Sequence, residues 1–355
     1  MYRDSETWCS GFQPLIAVQR GPLIEAVHQG AIVASFPNGK LAGAIGDPDQ
    51  VIYIRSSAKP LQVLSLLESG AADHFGFSAR ELAIMAGSHN GAEAHVSTVQ
   101  HILERLGLDE SALQCGAHWP LGRDASNALI RCGEKPRPVH NNCSGKHAAM
   151  LALARYRGYA IDTYCDANHA VQREIMEALA LLANLPADQI VVGIDGCGVP
   201  VFGLPLRSAA QAFARLVDPA GLPPAWAAAC QKIVSAMHAY PDMVAGSGRI
   251  CTTLLNLFPG KLVAKSGAEG FYALSILPGH IAGIEEGLGI AVKIADGNFP
   301  TGVHSVVVEI LRQLDLIDSG TLEQLYQHYP KQVLNHRKEQ VGQVCPLFDL
   351  NLTSQ

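Results

Sequence analysis

Segments of strand character stand at both ends of this chain, with a long helical stretch between them. That order excludes a plain helix bundle and a regular alternation of strand and helix. It leaves a sheet assembled from both ends, with helices inserted into it. At the N-terminal end, Leu15 to Val18 and His28 to Phe36 read as strands. Pro37-Asn38-Gly39 supplies turn chemistry, and Lys40 to Ile45 returns as the second arm of a hairpin. Val51-Ile52-Tyr53-Ile54 is β-branched and aromatic, and so of strand type. At the far end, Lys261 to Lys265, Tyr272 to Leu277 and Gly289 to Ile294 read the same way. Asp296-Gly297-Asn298 then turns the chain into a helix near His304 to Leu314.

The middle is mostly helical. Leu61 to Glu68 carries a helical pattern closed by Gly70, and Ser78 with Glu81 forms a capping box for a helix running to Ala86. After the loop Gly87-Ser88-His89-Asn90-Gly91, helices follow at about 96–106, 145–157, 168–182, 208–216 and 224–239. Ile190 to Ile194 interrupts them as a short buried strand. The fold class expected is α/β: an α+β sandwich with an inserted helical subdomain, forming one unit over residues 1–355. Its sheet-forming parts are about 14–58 and 245–346, and its helical subdomain is about 60–240.

Hydrophobic residues make up 48% of the chain and charged residues only 16%, enough apolar material for a large core. The balance of 26 basic against 32 acidic residues gives −6, with no basic run. A nucleic acid or an anionic membrane is therefore a poor partner, and a small molecule fits better. The N-terminus, Met1 to Gly11, lacks a charged-then-apolar leader. Nine scattered cysteines, an odd number in a long chain, do not read as a disulfide framework. The expected location is cytoplasmic, with reduced thiols.

Chemistry concentrates at Ser56-Ser57-Ala58-Lys59. With Ser56 at a helix start, Lys59 falls on the same face, where hydroxyl and amine can meet. A serine hydroxyl is a weak nucleophile until a base takes its proton, and a neutral lysine amine can be that base. With 21 serines and 10 lysines, roughly one such pair arises by chance, so the motif alone does not distinguish catalysis from a helix cap. Ser88-His89-Asn90 in a glycine-bounded loop and Lys265-Ser266-Gly267 at a strand end add to it. Together the three reproduce, in order, the motif set of serine β-lactamases and penicillin-binding proteins.

A second constellation joins Asn142-Cys143-Ser144-Gly145-Lys146-His147 to Asp195-Gly196-Cys197-Gly198. Two thiolates suit a soft divalent ion such as zinc, although no Cys-x-x-Cys pair is present and lysine is an unusual ligand. From the residues alone, two buried thiols acting as small hydrophobes is the better reading, since most free cysteines are that. Cys115 with His118, and Cys251, read as structural.

These motifs carry a resemblance. Arg55-Ser56-x-x-Lys59-Pro60, Gly87-Ser88-His89, Cys143-Ser144-Gly145-Lys146-His147, Asp195-Gly196-Cys197 and Lys265-x-Gly267 resemble the L-asparaginase II family of the rhizobial type, from about Pro14 to Pro346. The resemblance implies a fold similar to serine β-lactamases, penicillin-binding proteins and glutaminases, a homodimer, and hydrolysis of L-asparagine to aspartate and ammonia. It further implies two Ser–Lys pairs, Ser56 with Lys59 and Ser88 with Lys265, and a zinc ion held by Cys143, Lys146 and Cys197.

On that footing Ser56 attacks the amide carbon with Lys59 as base, while Ser88 and Lys265 relay a proton or position the amide. Arg55 is expected to pair with the substrate's α-carboxylate and Asp195 with its α-ammonium, and His89 to fix orientation. The competing readings are a serine glutaminase, a β-lactam-recognising hydrolase, and a non-enzymatic zinc-binding protein.

Overall fold

The computed structural model describes residues 10–353; the polar N-terminus through Cys9 lies outside them. The chain opens with strands β1 (Gln13–Arg20), β2 (Leu23–Ser35), β3 (Leu41–Ile45) and β4 (Val51–Tyr53). A tight turn of 3₁₀ helix over Arg55–Ala58 runs into α1 (Lys59–Glu68). Then come α2 (Ala79–Met85), α3 (Glu93–Arg105), α4 (Arg123–Cys132), α5 (Ser144–Arg157) and α6 (Ala170–Ala183). The hairpin β5 (Val191–Ile194) and β6 (Pro200–Pro205) precedes α7 (Leu206–Val217), α8 (Pro224–Ala239) and α9 (Ile250–Leu257). Strands β7 (Leu262–Ser266), β8 (Phe271–Ile276) and β9 (Leu288–Ile294) lead to α10 (His304–Gln313) and α11 (Ser319–His328). Strands β10 (Gln332–Leu334) and β11 (Gln340–Pro346) end the chain.

These elements form two compact units. The sheet unit holds the residues up to Ile54, Leu204–Asp218, and those from Lys265 onward. Its antiparallel sheet runs in the order β10-β11-β1-β2-β9-β8, so both ends of the chain pair directly, Ile16 opposite Pro346. The first half of β2 pairs with β1 and its second half with β3, the hairpin expected from Pro37-Asn38-Gly39. Helix α7 packs on β9, β2 and β8. It can do so because Gly289 has no side chain: a Cβ there would stand 1.9 Å from the Ala210 carbonyl oxygen.

The helical unit holds Arg55–Gly203 and Pro219–Ala264, with α1 packed against α6, α8 and α5. The boundaries therefore differ from those read off the sequence. Helix α7 belongs to the sheet unit because its buried face lies on strands, and α9 extends the helical unit to Ala264 by packing on α8. Strand β5 also differs: Val191, Val192 and Ile194 are exposed, the last by 67%, because β5 pairs only with β6. Among the described residues no helix is long and apolar enough to cross a membrane, and no disulfide joins the described cysteines.

One buried charge in the sheet unit makes a measurable difference. Lys293 on β9 donates to the carbonyls of Glu269 at 2.7 Å and Ile294 at 2.5 Å. Burial pushes its amine down to about 8, against the pull of Glu269 and Asp296. Between that value and the ordinary 10.5, the unfolded chain binds a proton that the folded chain does not. Stability from this group therefore rises with pH across that window. Urea unfolding should show wild type gaining on Lys293→Met as pH rises from 7 to about 10. A constant difference between the two would contradict it.

Candidate active site

The helical unit gathers most of the residues that the motifs single out. Arg55 begins the turn after β4 with φ 49°, a left-handed conformation unusual for a side-chain-bearing residue. That bend sets Ser56 just ahead of α1, half-buried, and directs Lys59 inward, wholly buried. Ser88 sits in the loop between α2 and α3, held by its N–H donating to the Val244 carbonyl at 2.7 Å. Cys143 and Lys146 stand at the start of α5. Gly145 between them lets that helix start abut the end of α2, since a Cβ would lie 2.3 Å from the Ile84 carbonyl oxygen. Asp195 and Cys197 occupy the turn of the β5–β6 hairpin.

Lys59 is the hub. Its Nζ donates to Ser88 Oγ at 2.9 Å and to the Asn142 carbonyl at 3.1 Å. The pairing implied by the resemblance, Lys59 with Ser56, is not the one observed: among the described residues no hydrogen bond joins them. A buried amine needs acceptors for its protons, and Ser88 and Asn142 supply them in the interior where Ser56 does not. Burial pushes the Lys59 amine below its ordinary value; the Cys143 thiolate opposes the shift and Lys146 adds to it. Lys265 lies in the sheet unit at the end of β7, buried, with Nζ donating to the Ser266 carbonyl at 2.9 Å.

Lys146 Nζ donates to Cys197 Sγ at 3.1 Å, and the Cys143 and Cys197 sulfurs hydrogen-bond to each other. That bond outweighs burial and, with Lys59 and Lys146 close by, holds Cys143 well below its ordinary value. The same bond and burial push Cys197 up, so the pair keeps one proton between two sulfurs. Burial acts to lower Lys146, but Cys143, Cys197 and Asp195 outweigh it and raise it. Among the described residues no three His, Cys, Asp or Glu side chains stand together as metal ligands. A metal here would need Lys146 as its third donor. The two sulfurs are donors that zinc prefers, and the Lys146 amine beside Cys197 can complete the set as an unusual third ligand once it gives up its proton.

Arg55 and Asp195 pair with each other, Nη2 to Oδ1 at 2.9 Å and Nε to Oδ1 at 3.1 Å. Burial acts to raise the Asp195 carboxyl, but Lys146 and Arg55 outweigh it and keep it ionised. His89 departs from the orienting contact with substrate expected of it. It is wholly buried and uses both ring nitrogens internally, Nδ1 accepting from the Gly91 N–H and Nε2 bonding Ser144 Oγ. Burial, then His95 and Lys59, keep it neutral. Two participants escaped the sequence reading. Asn142 offers Lys59 a backbone carbonyl, which no side-chain pattern reveals, and its own N–H is held by His118 Nε2 at 3.2 Å. Ser144 stood inside a motif read only for its cysteine and lysine.

The family model described as L-asparaginase II matches residues 16–346. The chain belongs to that family. Among curated proteins none matches the chain. Among solved structures it is similar to Mglu in its native form, at 16% identity and TM-score 0.44, covering 82% of this chain and 66% of that one. It is also similar to a probable glutaminase from Bacillus subtilis complexed with 6-diazo-5-oxo-L-norleucine, at 12% identity and TM-score 0.38, covering 81% and 84%. The chain thus spans just under two thirds of Mglu.

Proposed function

We propose that the chain is an L-asparaginase, hydrolysing L-asparagine to L-aspartate and ammonia through a serine acyl-enzyme. The observation that carries this reading is the wholly buried Lys59 amine, pushed down in pKa and hydrogen-bonded at 2.9 Å to a serine hydroxyl. An amine that burial makes easier to deprotonate is the base a serine nucleophile requires. The family match and the Arg55–Asp195 pair support an amino-acid amide as substrate. A zwitterion can replace each partner's contact with the other, its carboxylate on Arg55 and its ammonium on Asp195.

In this reading the half-buried Ser56 hydroxyl forms the bond to the amide carbon. Its proton passes to neutral Lys59 by way of Ser88, and backbone N–H groups at the start of α1 face the developing oxyanion. Lys59 then gives the proton to the departing nitrogen, the carbon–nitrogen bond breaks, and ammonia leaves. Water hydrolyses the ester by the reverse proton route. Lys265 serves as the second lysine of the family pattern. Cys143, Lys146 and Cys197 would hold zinc, whose positive charge would lower the pKa of groups beside it.

The direct Lys59–Ser88 bond favours a second reading in which Ser88 is acylated. Trapping the acyl-enzyme and locating the modified peptide by mass spectrometry separates the two, since Ser56 and Ser88 fall on different peptides.

Ammonia release tests the substrate. L-Asparagine should be hydrolysed with kcat/KM at least about tenfold above L-glutamine, because one methylene in a pocket discriminates by about 1–3 kcal/mol. Comparable efficiency on both amides would remove the asparagine assignment.

A further inference from the structure

We propose that Ser144 is a positioning residue for the amide hydrolysis read above, acting through His89 to hold Ser88 against Lys59. The hydrogen bonds leave little freedom in where the protons lie. The Gly91 N–H donates to His89 Nδ1 at 3.2 Å, so Nδ1 is the acceptor and the ring proton is on Nε2. Nε2–H therefore donates to Ser144 Oγ at 2.8 Å, and the Ser144 hydroxyl donates onward to the Val139 carbonyl at 3.0 Å. The result is a one-way chain in which each donor has one acceptor. Ser144 and His89 are wholly buried, so water cannot take either place.

The chain links two parts of the site that are distant in sequence. His89 immediately follows Ser88, and Ser144 is the first residue of α5, immediately after Cys143. Their bond spans 55 positions and ties the Ser88 loop to that helix start. Neither anchor can slide. The start of α5 already abuts the Ile84 carbonyl at Gly145, and Ser88 is pinned from its other side by the Val244 carbonyl. The ring is also stacked on His95, centroids 5.1 Å apart and planes 15° apart. His95 is itself fixed by the Ala92 N–H on Nδ1 and by donation from Nε2 to the Asp242 carbonyl. Ser88 Oγ thus stands at 2.9 Å from Lys59 because a clamped imidazole holds its backbone there.

Losing the Ser144 oxygen strands a buried N–H, and the ring must move to find an acceptor. A displacement of about 1 Å at Ser88 suffices to cost on the order of 10²-fold in rate. The test compares steady-state kinetics of Ser144→Ala, His89→Asn and His89→Gln with wild type. A glutamine amide nitrogen can occupy the place of Nε2, whereas asparagine reaches only that of Nδ1. Ser144→Ala and His89→Asn should lower kcat about 10–100-fold with KM within about twofold. His89→Gln should recover most of that loss. Full kcat in Ser144→Ala, or no recovery in His89→Gln, overturns the proposal. If Ser144→Ala fails to fold, the two His89 variants carry the same comparison. The substrate is whichever amide wild type hydrolyses, so a preference for glutamine sinks the asparagine assignment alone, and absence of any amide hydrolysis sinks both.

Discussion

Lys59→Met is expected to lower kcat for asparagine by about 10³-fold or more while the protein still folds. The methylene stem keeps its packing in the core, and the substitution removes a charge that burial disfavours. It removes the Lys59 hydrogen bonds to Ser88 Oγ and to the Asn142 carbonyl, at a cost of about 1–3 kcal/mol that a large core tolerates. Ser56→Ala should lose a similar factor, and the double variant should be little worse than either single one, because residues that act as a unit are not additive. Wild-type kcat should rise with pH through the Lys59 ionisation, since only the neutral amine accepts a proton and burial has moved that ionisation below 10.5. Retention of a tenth of the activity in Lys59→Met would show that another group takes the proton. Near-wild-type turnover in Ser56→Ala would transfer the nucleophile to Ser88.

About one zinc per chain is the second large effect, with Cys143→Ala or Cys197→Ala expected to abolish it. Metal analysis after dialysis reads this directly. Lys146 is held protonated by the sulfurs around it, so binding must displace its proton as well as the one shared by the thiols. Affinity should therefore fall steeply as pH drops below neutrality, in a titration of apo-protein at several pH values. Ser56 already provides the nucleophile in the proposed route, so zinc should alter KM more than kcat. A protein that takes up no zinc, with an unchanged KM after its addition, would reduce Cys143 and Cys197 to packing residues.

Where the chain's own neighbours decide, the sequence was sufficient. Pro37-Asn38-Gly39 made the β2–β3 hairpin, since turn geometry depends on the residues in the turn. The Ser78–Glu81 capping box forms in both directions, Glu81 accepting from the Ser78 N–H at 2.8 Å and Ser78 Oγ from the Glu81 N–H. The motif residues Ser56, Lys59, Ser88, Cys143, Lys146, Asp195 and Cys197 were legible because reactive groups stood in glycine-bounded loops and at helix starts. Helix α9 was missed because Arg249 is a poor cap and Ile250–Leu257 is too short and β-branched to show a period.

Only the tertiary structure decided which groups meet. Spacing along a helix suggested Lys59 with Ser56, but folding turned the amine inward to Ser88, 29 positions away. Arg55 finds Asp195 across 140 positions and Lys146 finds Cys197 across 51. Nothing in local sequence encodes such pairings, because they exist only once burial forces each charged or polar group to find a partner in the interior. The sequence determined the local elements and the reactive groups; the need to satisfy those groups away from water determined how they are joined.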